Sequence, residues 1–241
     1  MNSLPGVAAV LFDVDFTLIR PGPMFQGEGY RSFCARHLID VDPAAFEAAV
    51  ASAAVMLDDP EGLPYDAEIF VAYTRHIIEQ MGGSGSPGAA LDACAREIYA
   101  EWAENRHFEL YDDVPAALRS LNEAGIRVGL ISNSHRCLES FQSHFELRHL
   151  TAASVSSADH GFMKPHPSIF RAVLDRLRVK PGDAVMVGDS VGQDVEGALR
   201  AGMRAVLLHR GGGSAPRARE LGEWGVPVIK ELAELLNLVI G

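Results

Sequence analysis

Short, continuous apolar runs alternate with amphipathic segments along most of this 241-residue chain. An apolar run without polar interruptions is typical of a parallel strand that is covered on both faces. Between the runs, apolar positions recur with helical spacing. This alternation predicts an open parallel α/β sheet with helices packed on it. The predicted strands are Val7–Phe12, Arg127–Ile131, Ala184–Val187 and Ala205–Leu208, with weaker ones near Ala153–Val155 and Val226–Ile229, and the predicted helices are Val114–Ala124, Ser134–Phe145, Pro167–Leu177 and Gly192–Ala201.

Residues 21–105 interrupt this alternation. An insert that follows the first strand should lie over the carboxyl end of that strand, where open α/β folds bind their ligands. We therefore predict an α/β core from residues 1–20 and 106–241, and a helical cap from residues 21–105. A helical appendage with no role in catalysis is the alternative. The insert has almost no strand signal, and its helical patterns are at Glu28–Ile39, Pro43–Leu57, Asp66–Met81 and Ala89–Glu104.

The composition limits the classes of partner. Lys and Arg number 21 and Asp and Glu number 32, which gives a formal net charge of −11. Such a balance argues against nucleic acid, because binding to a phosphate backbone needs a basic surface. No apolar stretch approaches the roughly 18–20 residues of a membrane helix. The three cysteines are odd in number and lack metal-type spacing, so a reducing cytoplasm is the expected location. Nothing in the sequence indicates an oligomeric state.

Two aspartates follow the first predicted strand, in the sequence Asp13-Val14-Asp15-Phe16-Thr17. Alternate residues of an extended chain lie on the same face, so the carboxylates of Asp13 and Asp15 should point into one site. Adjacent carboxylates are unfavourable unless a cation or a shared proton relieves their repulsion. Mg²⁺ prefers such oxygen ligands. Taken alone, this short pattern is equally consistent with a solvated turn.

Three further polar groups occur next to predicted strands and helices. Asp189 and Asp194 follow another predicted strand, with glycines that permit a tight turn. Ser132 and Asn133 end a third strand just before a helix, where free N–H groups and the helix dipole favour anions. Lys164 precedes a further helix and is one of only three lysines in the chain. Because parallel strands end at the same edge of a sheet, we expect these groups to form one site.

These four elements, in this order, resemble the motifs of the haloacid dehalogenase-like hydrolase superfamily. They are Asp13 to Leu18, Ser132 with Asn133, Lys164 with Pro165, and Gly188-Asp189 with Asp194. The resemblance extends over essentially the whole chain, and the insert resembles the helical cap of the first subgroup of that superfamily. It implies a Rossmann-like parallel sheet with an inserted helical cap. It also implies a Mg²⁺-dependent phosphatase that acts on a small phosphorylated metabolite.

The resemblance also implies a role for each motif residue. Asp13 would attack phosphorus and form an aspartyl-phosphate. Asp15 would protonate the leaving oxygen and then accept a proton from the hydrolytic water. Mg²⁺ would be held by Asp13, the backbone carbonyl of Asp15, and Asp189, with Asp194 as a supporting ligand through water or by orienting Lys164. Ser132, Asn133 and Lys164 would hold phosphate oxygens, and Thr17, grouped with them, would hold the loop and orient Asp15.

Other chemistries of the same superfamily fit this sequence less well. Its dehalogenases lack the second aspartate, which is Asp15 here. Its helical-capped phosphonatases use a cap lysine, whereas residues 1–163 contain no lysine. A phosphomutase shares all four motifs and stays open as an alternative. A catalytically silent binding or regulatory protein is the non-enzyme alternative, against which the intact motifs argue. Phe16 stands where many family phosphatases have glycine, which affects the expected substrate size more than the chemistry.

Overall fold

A computed structural model of the chain describes residues 4–57, 62–211 and 215–240. These residues form two compact units. The first unit, here called the α/β unit, comprises the described residues up to Arg20, a short segment that ends at Tyr65, and those from Leu110 onward. The second, the helical unit, comprises residues 21–57 and 66–109. The sequence-based division differs from this one because it assigns 62–65 to the insert and 106–109 to the core.

The six predicted strands are all present, within two residues of their expected limits. Two further short strands, which the apolar pattern did not predict, pair with each other at the positions where the chain passes between the two units. The strands in the described residues are β1 (Ala9–Phe12), β2 (Ile19–Pro21), β3 (Phe108–Leu110), β4 (Arg127–Ser132), β5 (Ala153–Ser156), β6 (Ala184–Gly188), β7 (Arg204–Leu208) and β8 (Val228–Ile229).

Each predicted helical segment contains helix, with the largest differences next to the site, and three further helices in the described residues (Ser157–His160, Ala218–Glu223 and Leu232–Val239) were not predicted. The predicted helix from Ser134 begins only at Leu138, because the preceding residues form a loop. The predicted helix from Gly192 is a π-helical segment, Val191–Glu196, followed by a short α-helix. The α-helices are α1 (Gly27–Arg36), α2 (Phe46–Ala53), α3 (Ala67–Gln80), α4 (Gly88–Trp102), α5 (Val114–Glu123), α6 (Leu138–His144), α7 (Ser157–His160), α8 (Pro167–Leu177), α9 (Gly197–Arg200), α10 (Ala218–Glu223) and α11 (Leu232–Val239).

The main sheet is parallel and has the strand order β5-β4-β1-β6-β7-β8. All four residues of β1 are fully buried, as expected for a central strand that is covered on both faces. Phe12 lies opposite Leu130 of β4 and Val187 of β6, so these three strands end at the same edge. The strand order reverses at β1, and such a reversal opens a crevice at the carboxyl edge, where α/β folds bind ligands.

Part of the insert, the segment 62–65, packs within the α/β unit. The amide of Met163 donates to the carbonyl of Leu63 at 3.0 Å, and the amide of Tyr65 donates to the carbonyl of Gly161 at 2.9 Å. A Cβ on Gly62 would lie 2.4 Å from the backbone nitrogen of His166, so only glycine permits this approach. The segment therefore fixes the loop that carries Lys164.

The helical unit is held together by apolar faces with helical spacing. Its larger helices, α3 and α4, bury residues at three- and four-residue intervals, namely Val71, Thr74, Ile77 and Ile78 on α3 and Leu91, Cys94, Ala95 and Ile98 on α4. On the outside, Arg75 pairs with Glu79 and Asp92 at 2.9 and 2.6 Å. In the part of the chain that the structure describes, no helix is long and apolar enough to cross a membrane.

Candidate active site

A tight turn directly after β1 carries the first acidic motif. The amide of Asp13 still donates to the carbonyl of Val187 in β6, at 2.9 Å, so Asp13 continues the sheet. The amides of Leu18 and Ile19 then donate to the carbonyl of Val14, at 2.9 and 3.1 Å. The turn therefore holds Asp13 and the residues after it at the carboxyl edge of the sheet.

Phe16 has a left-handed backbone conformation in this turn, with φ of 64°. Such a conformation costs a non-glycine residue roughly 1–2 kcal/mol. Its amide donates to the carbonyl of Ile19 at 2.7 Å, which helps to maintain the conformation. The side chain is 47% exposed. Glycine would fit this position without strain, so Phe16 preserves the turn at an energetic cost and places an aromatic ring at the surface.

Lys164 is the central cation of the site. Its side chain is 1% exposed, and its Nζ donates to Oδ1 of Asp13 at 2.6 Å and to Oδ1 of Asp194 at 2.7 Å. A buried ammonium group is unfavourable without such partners. The structure thus brings together residues from the first, third and fourth motifs, which are separated by up to 181 positions in the sequence.

Asp194 is oriented by the backbone that follows β6. Its Oδ2 accepts from the amide of Ser190 at 3.0 Å, while its Oδ1 accepts from Lys164. The hydroxyl of Ser190 in turn accepts from the amide of Gln193 at 3.1 Å. The π-helical segment Val191–Glu196 provides this register, and π-helical turns occur frequently at functional sites. Both oxygens of Asp194 are therefore engaged in holding the Lys164 side chain and its own loop.

Gly188 makes room for this arrangement, and its replacement by alanine is expected to disrupt it. An added Cβ would lie 2.2 Å from the Asp194 carboxylate. We expect Gly188→Ala to lower kcat at least about tenfold by displacing Asp194 from Lys164, in line with the sensitivity of catalysis to small misplacements. Gly182→Ala is the matched control, because a Cβ there would meet nothing within 4 Å. Steady-state kinetics measures the effect, and equal activity of both variants would contradict this prediction.

The Asn133 side chain contacts the backbone of Lys164. Its Oδ1 accepts from the amide of Lys164 at 2.7 Å, and its Nδ2 donates to the carbonyl of the same residue at 2.9 Å. The Asn133 Nδ2 also donates to Oε1 of Gln193 at 3.1 Å. Asn133 therefore fixes the loop that carries Lys164, and its direct contact with phosphate stays a prediction.

Asp15 is held by groups at the end of β4 and in the loop after it. Its Oδ2 accepts from the hydroxyl of Ser132 at 3.3 Å, and its Oδ1 accepts from Nη2 of Arg136 at 3.0 Å. The Arg136 side chain is fully buried. Sequence analysis did not single out Arg136, because an arginine in a loop after a strand is ordinarily a surface residue.

Thr17 is fully buried, and its hydroxyl forms no hydrogen bond in the structure. Its carbonyl accepts from Nη2 of Arg210 at 3.1 Å. Arg210 also pairs with both oxygens of Asp113, at 2.9 and 3.0 Å, and lies 4.0 Å above the ring of Tyr111. The sequence did not indicate this Arg210 cluster, which anchors the turn after β1. The predicted role of Thr17 in orienting Asp15 stays a prediction.

The electrostatics of the site reflect its excess of acidic groups. Burial raises the pKa of Asp13 to about 7, although the charge of Lys164 acts in the opposite direction. Asp189 is an exposed residue, yet desolvation of its carboxylate and the charges of Asp13 and Asp194 raise its pKa well above the ordinary value. Burial alone would lower the pKa of Lys164, but the same two carboxylates raise it, so the ammonium stays charged. The site is consequently short of positive charge.

Three carboxylates lie close enough to share a cation. One oxygen from each of Asp13, Asp189 and Asp194 lies within 4.8 Å of the other two. Carboxylate oxygens are the ligands that hard divalent cations such as Mg²⁺ prefer. This cluster contains three of the four predicted metal ligands. The fourth, Asp15, is expected to contribute its backbone carbonyl, which stays a prediction, and its carboxylate accepts from Ser132 and Arg136.

Comparisons with known proteins agree on one family. The family model described as a haloacid dehalogenase-like hydrolase matches residues 7–202. The chain is 32% identical over 186 residues to the N-acylneuraminate-9-phosphatase of Rattus norvegicus. The aligned region covers 73% of this chain and 72% of that protein. It is 31% identical over 210 residues to the glyceraldehyde 3-phosphate phosphatase of Methanopyrus kandleri, with 85% of each chain covered.

A solved structure gives the same picture of the fold. A predicted phosphoglycolate phosphatase from Haemophilus somnus superposes with a TM-score of 0.68. The superposition covers 96% of this chain and 97% of that one, at 18% sequence identity. At this identity the likeness shows the fold alone, which is the predicted parallel α/β fold with its helical insert.

Proposed function

Because the chain belongs to the haloacid dehalogenase-like hydrolases and is a phosphatase among them, we propose that it hydrolyses phosphomonoesters of small metabolites in a Mg²⁺-dependent reaction. The two named relatives support a small phosphorylated substrate, since both are phosphatases by name. We also propose a cytoplasmic location, in line with the odd number of cysteines without metal-type spacing, and no nucleic acid partner, in line with the net charge of −11.

The observation that carries this proposal is the Lys164 ammonium between Asp13 and Asp194, with Asp189 beside them. A carboxylate nucleophile needs a positive group next to it when it attacks an anionic phosphate, because like charges repel. Lys164 provides that charge within 2.6 Å of Asp13 Oδ1. The second oxygen of Asp13 is then available to the reaction in the proposed scheme.

The residues present fit a bound Mg²⁺. Three carboxylates, from Asp13, Asp189 and Asp194, lie around the ammonium of Lys164, and Asp15 is paired separately with Arg136. Three formal negative charges and one positive charge in this cluster leave an excess of two, which a divalent cation balances. Asp13 and Asp189 would hold it with the backbone carbonyl of Asp15, and Asp194 would support it. When bound, Mg²⁺ would offset the repulsion between nucleophile and phosphate.

In the proposed reaction, Asp13 forms an Oδ–P bond while the bond from phosphorus to the leaving oxygen breaks. Asp15 gives its proton to the leaving oxygen, which departs as an alcohol. Asp15 then takes a proton from the water that attacks the aspartyl-phosphate, and Asp13 and inorganic phosphate are released. Lys164 stabilises charge on the phosphoryl oxygens, and Ser132, Asn133 and Thr17 complete the phosphate site.

We further propose that residues 21–105 act as a cap that restricts the choice of leaving group. The motifs that carry the chemistry all belong to the α/β unit, whereas the helical unit contains none of them. Because the catalytic motifs lie outside the insert, its sequence can change with the substrate without altering the chemistry, as is common for loops on a rigid scaffold.

The experiment that tests the function is a screen of phosphorylated metabolites for release of inorganic phosphate, in Mg²⁺ and in EDTA. We expect turnover of at least one small phosphomonoester in Mg²⁺ and none in EDTA. Detection of an isomerised phosphate ester without phosphate release would instead support a phosphomutase. A folded, Mg²⁺-loaded protein without turnover on the whole panel would contradict the enzyme assignment.

Mg²⁺ is also expected to stabilise the folded protein. A ligand present at about 100 times its Kd adds about 2.7 kcal/mol, which corresponds to roughly 5–10 °C in Tm for a chain of this length. Thermal unfolding in Mg²⁺, compared with NaCl of matched ionic strength, measures this shift. Asp189→Asn should reduce it, because Asp189 contributes one of the clustered oxygens. An equal shift in NaCl would mean that ionic screening is responsible and would contradict a specific site.

A further inference from the structure

Arg136 is an arginine in the interior of the α/β unit. It lies in the loop between β4 and α6, and none of its surface is exposed. A buried guanidinium is strongly unfavourable unless charged or polar groups surround it. Its Nη2 donates to Oδ1 of Asp15 at 3.0 Å, and the Asp15 side chain retains 17% of its exposure. The pair therefore joins a buried cation to a carboxylate that solvent or substrate can still reach.

The last residue of β4, just before this loop, restrains the other oxygen of Asp15. The Ser132 hydroxyl lies 3.3 Å from Oδ2 of Asp15 and 2.9 Å from the hydroxyl of Ser134. One partner for each carboxylate oxygen defines both the position of the carboxylate and its rotation. Asp15 is thus oriented by the last residue of β4 and by the loop that follows it, which lie more than a hundred positions further along the chain.

The two aspartates of the first motif are paired with different cations. Asp13 is bound by Lys164 at 2.6 Å, and Asp15 is bound by Arg136 at 3.0 Å. A single cation between adjacent carboxylates would draw both to the same point. Separate cations keep one carboxylate directed at Lys164 and the other directed away from it, which is the division that a nucleophile and a proton donor require.

Resting on the proposed function, we propose that Arg136 is a positioning residue that holds the Asp15 carboxyl group for proton transfer to the leaving oxygen. Arg136 transfers no proton itself, because a guanidinium is not deprotonated in proteins. It acts through Asp15, whose proton passes to the leaving oxygen while the Asp13 Oδ–P bond forms. Arg136 fixes the orientation of the Asp15 carboxyl group, so loss of Arg136 removes alignment rather than a reacting group.

The test measures kcat/KM over a series of phosphomonoesters, from a dinitrophenyl phosphate to an alkyl phosphate. This ratio reports the steps through the first cleavage of the bond between phosphorus and the leaving oxygen. Dinitrophenolate leaves without protonation, whereas an alkoxide requires it. We expect Arg136→Met to lose about 10²-fold on alkyl phosphates, within the usual range of general acid catalysis, and less than about threefold on the dinitrophenyl ester.

Three further variants make the test specific. Arg171→Met removes an exposed arginine of α8 and should leave the whole series unchanged. Arg136→Lys keeps the charge and should lose less on alkyl phosphates than Arg136→Met. In an Asp15→Asn background, Arg136→Met should cost nothing further, because residues that act through one another are not additive. Circular dichroism and Tm establish that each variant is folded, and Arg136→Lys replaces Arg136→Met in the series if the latter does not fold.

The outcomes separate the inference from the function on which it rests. A loss concentrated on poor leaving groups supports the positioning role. An equal loss across the series, or an undiminished loss in the Asp15→Asn background, would overturn it in favour of phosphate binding or a structural role. No loss at all would overturn it as well. A wild-type protein that hydrolyses none of the esters would contradict the proposed function and, with it, this inference.

Discussion

Replacement of Asp13 by asparagine is expected to reduce phosphatase turnover by at least about 10³-fold, since removal of an enzyme's nucleophile typically costs this much or more. Asparagine has nearly the same shape and can still accept a hydrogen bond from Lys164, which contacts Asp13 at 2.6 Å. The change therefore removes the attacking oxygen and one negative charge while largely preserving the packing. We expect the variant to fold, and phosphate release measures the loss of activity.

The control for this substitution is Asp175→Asn, an equivalent change at an exposed position of α8. It should have wild-type turnover, which excludes a general effect of one lost charge. Retention of more than a few per cent of activity by Asp13→Asn, with the variant freshly purified and undeamidated, would show that another group attacks phosphorus. Asp189 and Asp194 would then be the residues to examine, because each has a carboxylate oxygen within 4.8 Å of an oxygen of Asp13.

Replacement of Lys164 by methionine is the second change with a large expected effect. The side chain is 1% exposed, so its ammonium cannot be replaced by solvent. Without it, Asp13 and Asp194 face each other with no cation between them, and breaking a buried pair typically costs about 3–5 kcal/mol of unfolding free energy. Loss of the positive charge at the reacting phosphate should lower kcat by about 10²–10³-fold. Denaturant unfolding and steady-state kinetics measure the two effects.

Lys180→Met is the matched control, since Lys180 is an exposed lysine near the start of β6. It should change neither the unfolding midpoint nor kcat. Mg²⁺ should restore part of the stability of Lys164→Met, because the cation reduces the same carboxylate repulsion, but it should not restore kcat. Activity of Lys164→Met within tenfold of wild type would contradict the role assigned to this residue, whatever the effect on stability.

The sequence predicts the parts of the fold that depend on local signals. Pro167–Leu177 is predicted with both ends in place, because its apolar positions recur with helical spacing and Pro167 is well suited to the first helical position. The central strands are predictable because each is a continuous apolar run that can be buried only in a covered parallel sheet. Their common edge then brings the motif residues together.

The remaining features depend on partners that are distant in the chain. Arg136 is buried where it pairs with Asp15, which is more than a hundred positions away, and no local pattern marks an arginine for burial. The segment 62–65 is short and irregular, and it joins the α/β unit through hydrogen bonds with residues about a hundred positions away. The apolar pattern of the π-helical turn before α9 is the pattern of an ordinary helix. What sets the turn apart is that Asp194 points toward Lys164, and Lys164 is distant in the chain.

The proposed mechanism requires that Asp13 become covalently phosphorylated during turnover. Borohydride reduces an aspartyl-phosphate to homoserine, so rapid addition during turnover, followed by peptide mass spectrometry, identifies the modified residue. We expect homoserine at position 13, dependent on substrate and Mg²⁺, and no modification in Asp13→Asn. Turnover with no reduction at position 13, or reduction at another aspartate such as Asp189, would contradict it.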